Sequence, residues 1–143
     1  MDYQLEVVVL PVRDVDRSLT FYTERVGFAL DVDYRPTHDF RVVQLTPPGS
    51  ASSIQLVAAA TDERPDPERS MYLVVADIEA AHRELQERGV DLGDIRHKSG
   101  GERWEGDWEP GVDPQRRDLA SFLDFTDPDG NRWVLQERSF PRE

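Results

Sequence analysis

The chain has 143 residues, enough for one domain with a sizeable core and too few for two large independent ones. Its 17 Lys and Arg against 29 Asp and Glu leave a net charge of −12, which repels phosphate backbones and anionic membranes and so argues against nucleic-acid or lipid-surface partners. Cysteine is absent, which excludes disulfides, thiolate catalysis and Cys-ligated zinc together.

Residues 1–6 carry neither a basic nor an apolar leader pattern, and no run approaches the roughly 18 to 20 apolar residues a membrane helix needs. The expected setting is the cytoplasm. From Leu5 to Val12 a β-branched apolar run predicts a strand. Asp14 offers an N-cap oxygen, and Val15, Leu19, Tyr22 and Val26 recur at helical spacing up to a stop at Gly27. Three strand-like stretches follow, Phe28 to Tyr34, Phe40 to Thr46 and Ser53 to Val57, punctuated by Pro36 and by Pro47-Pro48-Gly49. Residues 59–69 are rich in charge and proline and read as a linker. Beyond it, Met71 to Ala76 predicts a strand, and Asp77 caps a helix with Ile78, Ala81 and Leu85 on one face, ending at Gly89. Val90 to Ile95, Leu119 to Phe125 and Asn131 to Glu137 supply the remaining strands.

The second half repeats the first. Val12-Arg13-Asp14-Val15-Asp16 matches Val75-Ala76-Asp77-Ile78-Glu79 at an offset of 63, and Pro47-Pro48-Gly49 through Gln55 matches Pro128-Asp129-Gly130 through Gln136 at an offset of 81. The expected fold is α+β: one domain over residues 1–143, made of two tandem βαβββ modules, about 4–58 and 70–138, whose curved, mostly antiparallel sheets enclose a shared groove.

The run Leu10-Pro11-Val12-Arg13-Asp14-Val15-Asp16 with Phe21-Tyr22 and Gly27, the run Tyr72 to Ala81, and Phe125-Thr126-Asp127-Pro128-Asp129-Gly130-Asn131 occur in order along nearly the whole chain. In them the sequence resembles the vicinal oxygen chelate superfamily, which includes glyoxalase I, bleomycin-resistance proteins and extradiol dioxygenases. The resemblance implies paired βαβββ modules around a pocket, often completed in a homodimer. In the family's enzymes it also implies a divalent metal on His and Glu side chains, acting as a Lewis acid beside a carboxylate base. The fold hosts isomerases, dioxygenases, thiol transferases and drug-sequestering proteins, so it does not by itself fix the activity.

The positions where the family places its ligands hold Val7, Gln55, Ser70 and Val134. A slip of one residue would bring in Glu6, yet Glu6 with Gln55 gives a hard dication little charge compensation. A metal cofactor is therefore disfavoured.

Of three histidines, His82 falls at the edge of a helix face and His38 in a turn, while His97, ahead of Gly100-Gly101, is the candidate pocket acid or base, with Glu6 as a second catalytic candidate. Residues 98–118 form an irregular stretch of about 20 residues, a length typical of lids and binding loops, and Trp104 and Trp108 in it could lie flat over a ligand or pack back on the sheet. Tyr72, Phe122 and Trp133 on strands could line an aromatic groove or belong to the core, and Gln44, Gln55 and Gln136 place amides within apolar strands, where each needs a polar partner. Arg116-Arg117 could hold a ligand carboxylate or form salt bridges with the protein's own acids. The acidic balance weakly favours a neutral or cationic ligand. Neither a phosphate-binding glycine loop nor a Gly-x-Ser-x-Gly elbow occurs.

Together these residues predict a small-molecule-binding protein that sequesters or transforms an apolar or aromatic ligand without the usual metal. A glyoxalase-like lyase or isomerase with a rearranged metal site and a structural dimerisation module with a vestigial pocket are the alternatives.

Overall fold

A computed structural model describes residues 1–59, 65, 66, 68–100 and 103–139. Most of the expected linker lies outside these residues. The chain divides into two compact units, Met1–Arg64 with Asp127–Asp129, and Pro65–Thr126 with Gly130–Glu143.

In the first unit, β1 (Val7–Val12) leads into α1 (Val15–Thr20), followed by β2 (Ala29–Thr37), β3 (Phe40–Thr46) and β4 (Ser53–Ala58). The four strands form one sheet in the order β1-β4-β3-β2, with β1 and β4 parallel and the other pairs antiparallel. Asp14 caps α1 by accepting from the Arg17 N–H at 3.1 Å. Past Thr20 the helix widens into a π-helical turn over Phe21–Val26. There the Thr23 hydroxyl donates to the Leu19 carbonyl at 2.7 Å, competing with the backbone for that acceptor. Gly27, at φ 90°, ends the turn with its N–H on the Tyr22 carbonyl. The fully buried helix positions are Ser18, Phe21 and Tyr22, while Val15, Leu19 and Val26 of the expected stripe are half-buried. They pack with the alternate strand residues Leu10, Val12, Val43, Leu45, Ile54 and Leu56, all buried.

The second unit repeats this plan with one more strand. It comprises β5 (Ser70–Val75), α2 (Ile78–Glu87), β6 (Arg96–Lys98), β7 (Trp108–Pro110), β8 (Ser121–Thr126) and β9 (Arg132–Glu137), in the sheet order β5-β9-β8-β6-β7. Asp77 caps α2 by accepting from the Glu79 and Ala80 N–H groups. Two expectations shift. The apolar stretch Val90 to Ile95 is not a strand: Val90 is buried with its N–H on the Leu85 carbonyl at the end of α2, and Leu92 makes one isolated bridge to Phe125. The strand is the polar triplet that follows, paired to β7 and β8. The long irregular stretch likewise contains β7, so much of it is hydrogen-bonded hairpin.

Register sharpens the repeat. Val9 pairs with Gln55 and Tyr72 with Val134, so at the offset of 63 that relates β1 to β5 the counterpart of Gln55 is Val134, and Gln136 lies two residues further along. A shift of two keeps the same face of a strand, so Gln136 still points to the side Val134 faces.

Candidate functional site

Each sheet has a helix side and an open side. In the second unit the helix side is marked by Glu137, whose Oε2 accepts the Ile78 N–H at the start of α2 at 3.0 Å. Strand alternation puts Ser121, Leu123, Phe125, Trp133 and Leu135 on that side, all buried. Phe122, Asp124, Val134 and Gln136 therefore face the open side, and β5 adds Tyr72 while β6 adds Arg96 and Lys98.

The open side is built around Trp108. Its ring meets Phe122 edge-on with centroids 5.3 Å apart, a favoured aromatic geometry. The Arg96 guanidinium lies 4.4 Å from the Trp108 ring centroid and the Lys98 ammonium 4.2 Å from it, both within cation–π range. Arg96 also donates to Asp124 at 3.1 Å, and Arg132 donates to the same carboxylate at 2.7 Å. Trp104 joins through the Leu119 carbonyl, which accepts from Trp104 Nε1 at 2.7 Å and from Gln136 Nε2 at 3.2 Å. Trp104 and Leu119 have φ of 54° and 62°, a left-handed backbone that non-glycine residues adopt at a cost of about 1–2 kcal/mol each. Trp104, Trp108 and Tyr72 nevertheless remain 52%, 46% and 59% exposed.

Four of the residues expected to bind ligand, Trp104, Trp108, Phe122 and Gln136, thus gather on one face, although Phe122 is itself only 8% exposed beneath Trp108. Trp133 is placed elsewhere, 2% exposed on the helix side and stacked on Phe125 at 6.0 Å. His97 also points away from this face, since it pairs with Ser121 and alternates with Arg96 and Lys98. Its Nδ1 donates to the Gly111 carbonyl at 2.8 Å and its Nε2 lies 3.2 Å from Glu109 Oε2, so both nitrogens are engaged. In the first unit, Gln44 and Gln55 are cross-strand partners on the open side beside Val9 and Val32. Glu6 precedes β1 and is exposed. His38 lies with Phe40, Arg41 and Asp16 around a separate cavity of about 350 Å³.

Arg116 and Arg117 pair with the protein's own acids. Arg117 donates through its backbone N–H, Nε and Nη2 to Asp113, which is fully buried. These bonds hold the Asp113 carboxyl down at about 2. Arg116 donates to Glu137 at 2.7 and 2.9 Å and to Glu79 at 2.8 Å. The Arg116 bonds hold the Glu137 carboxyl below its ordinary value against the opposing effect of burial.

The metal positions implied by the family can be tested on their donors. In the first unit Val7 and Gln55 offer one amide; in the second, Ser70 and Val134 offer one hydroxyl, which already accepts from Arg132 Nη1 at 3.1 Å. Neither pair supplies the carboxylate or imidazole that a divalent ion requires. Among the described residues no group of three or more His, Asp or Glu comes together that could hold a metal ion. These residues do not fit the family's metal.

Sequence reasoning did not find Arg96 and Lys98 as site residues. Their signal is the i, i+2 spacing of two cations, which places them on one face only if residues 96–98 form a strand.

The βαβββ unit and its repeat with one added strand define the glyoxalase fold class. The chain belongs to the Glyoxalase/Bleomycin resistance protein/Dioxygenase superfamily, whose family model matches residues 4–135. It is similar to the structure of TnmS3, an antibiotic binding protein from Streptomyces sp. CB03234, at 29% identity over 96% of this chain and 98% of that one, with a TM-score of 0.67. A glyoxalase/bleomycin resistance protein from the same organism is 28% identical over 94% of this chain and all (100%) of that one, with a TM-score of 0.66. A superfamily member from Sphaerobacter thermophilus DSM 20745 shares the fold, with a TM-score of 0.68 at 24% identity over 96% of this chain and 98% of that one. No curated protein matches the chain. No helix among the described residues is long and apolar enough to cross a membrane.

Proposed function

We propose that the protein binds and sequesters a planar aromatic small molecule, of the kind an antibiotic presents, on the open side of the β5-β9-β8-β6-β7 sheet. The observation that carries this reading is the exposure of Trp104 and Trp108 at the end of the face that also holds Phe122 and Gln136. Large aromatics grouped and left uncovered are a feature of binding surfaces, and covering roughly 100 Å² on each tryptophan is worth about 4–5 kcal/mol. The similarity to an antibiotic binding protein supports the same ligand class. Binding is favoured over turnover because His97 has both nitrogens engaged and faces the helix side, and Glu6 lies outside β1.

The test is a titration of planar aromatic antibiotics followed by tryptophan fluorescence. Saturable quenching is expected, with Trp108→Ala weakening affinity at least about tenfold by loss of its contact area, and with the same midpoint after chelator treatment. Absence of quenching across the panel overturns the reading, and a midpoint abolished by chelator returns the rearranged metal site to favour.

We further propose that the chain works as a homodimer. In support, β2 forms the edge of its sheet, is exposed along all 9 residues, and leaves Leu30, Val32 and Tyr34 uncovered.

A further inference from the structure

The strand positions on the open side of the second sheet hold three cations, Arg96, Lys98 and Arg132, and a single carboxylate, Asp124. This is the reverse of the whole chain, whose net charge is −12. Arg132 is largely committed, donating through Nε and Nη2 to Asp124 and through Nη1 to Ser70. Arg96 gives one bond to Asp124 and Lys98 one bond to the Gly106 carbonyl at 3.2 Å, so each retains uncommitted donors. These two cations are the ones that flank Trp108.

We propose that the ligand of this face is a planar aromatic anion, with its rings against the half-exposed Trp108 and its acidic group, a carboxylate, sulfonate or phenolate, on Arg96 and Lys98. The inference rests on the binding reading above and names the chemical class of its ligand. It reverses the expectation drawn from total charge. At physiological salt, charges more than about 8–10 Å away are largely screened, whereas a cation about 4 Å from an anion contributes about 1 kcal/mol even in bulk water and more at a partly covered site. Glu105 and Asp107 flank the Gly106 that Lys98 meets, yet Arg96 and Lys98 lie directly against the Trp108 ring and so are the charges nearest a ligand seated on it. A cationic ligand would place like charge beside both.

The experiment compares three ligands of one ring system by calorimetric titration of the full chain: anthracene-2-carboxylate, anthracene-2-carboxamide and 2-(aminomethyl)anthracene. The carboxylate is expected to bind about tenfold tighter than the amide, with the amine weakest. In Lys98→Gln and Arg96→Gln chains, checked for folding by circular dichroism, the carboxylate-to-amide ratio is expected to fall severalfold. Equal affinities for carboxylate and amide, or a preference for the amine, overturn the charge class while leaving aromatic binding intact. Failure of all three to bind overturns both.

Discussion

Replacing Asp113 by Asn tests whether a buried ion pair organises the turn between β7 and β8. Asp113 is fully buried, its N–H donates to Ser121 Oγ at 2.9 Å, and its carboxylate takes three bonds from Arg117. Held at about 2 against an ordinary value of 3.8, this carboxyl is depressed in the folded state. Its contribution to stability is therefore present above the unfolded value and lost as pH falls through the folded one. The difference corresponds to about 2 kcal/mol at neutral pH, of which about 1 kcal/mol disappears between pH 6 and pH 3. Asn does not titrate and cannot form the charged pair with Arg117. The variant should thus be less stable by about 2 kcal/mol at pH 6 to 7, with the gap to the parent narrowing by about 1 kcal/mol at pH 3. Urea unfolding followed by tryptophan fluorescence measures this, because Trp104, Trp108 and Trp133, all 3 tryptophans of the chain, lie in the second unit. A gap that stays constant from pH 7 to pH 3 refutes the assignment of the low Asp113 value to the Arg117 bonds.

Two further outcomes are expected. Tyr22 is buried and donates its hydroxyl to the buried Asp127 Oδ2 at 2.7 Å, so Tyr22→Phe should cost about 2 kcal/mol, the value of a hydrogen bond to a charged group. The first unit holds no tryptophan, so the readout is thermal unfolding by far-ultraviolet circular dichroism, and an unchanged midpoint contradicts the role given to this bond. Light scattering on the purified chain should give the mass of a dimer, with Val32→Lys on the exposed strand β2 shifting it toward monomer; a parent chain that runs as a monomer at micromolar concentration removes the homodimer proposal.

The element order was legible because its signals are local. Asp14 and Asp77 are followed by helical spacing, and each caps its helix in the extended conformation that an N-cap requires. Strand β6 was not legible, because its neighbours supply the apolar contact. Arg96 and Lys98 lie along Trp108 and Phe122, so a polar triplet forms the strand while the apolar Val90 closes the end of α2. The two faces of β8 and β9 were equally opaque. Phe122 and Trp133 are both buried aromatic strand residues, and only the location of α2 decides that Trp133 packs on the helix side while Phe122 lies on the opposite face under Trp108. The π-helical turn likewise depends on a competition at the Leu19 carbonyl that helical spacing does not register.

The acidic balance acquires a different meaning once the carboxylates are placed. In the first unit Asp129 accepts the Arg13 N–H at 3.0 Å just ahead of α1, and in the second Glu137 accepts the Ile78 N–H at the start of α2. Both acids are buried where unpaired backbone donors gather, and each attracts arginines: Arg13 and Arg17 at Asp129, Arg116 at Glu137. Asp113 is committed in the same way to Arg117. These acids anchor chain segments and are unavailable to a metal or a ligand. The open side of the second sheet has Asp124 alone on its strands, shared between two arginines, so the field a ligand meets there is set by Arg96 and Lys98 rather than by the sum over the chain.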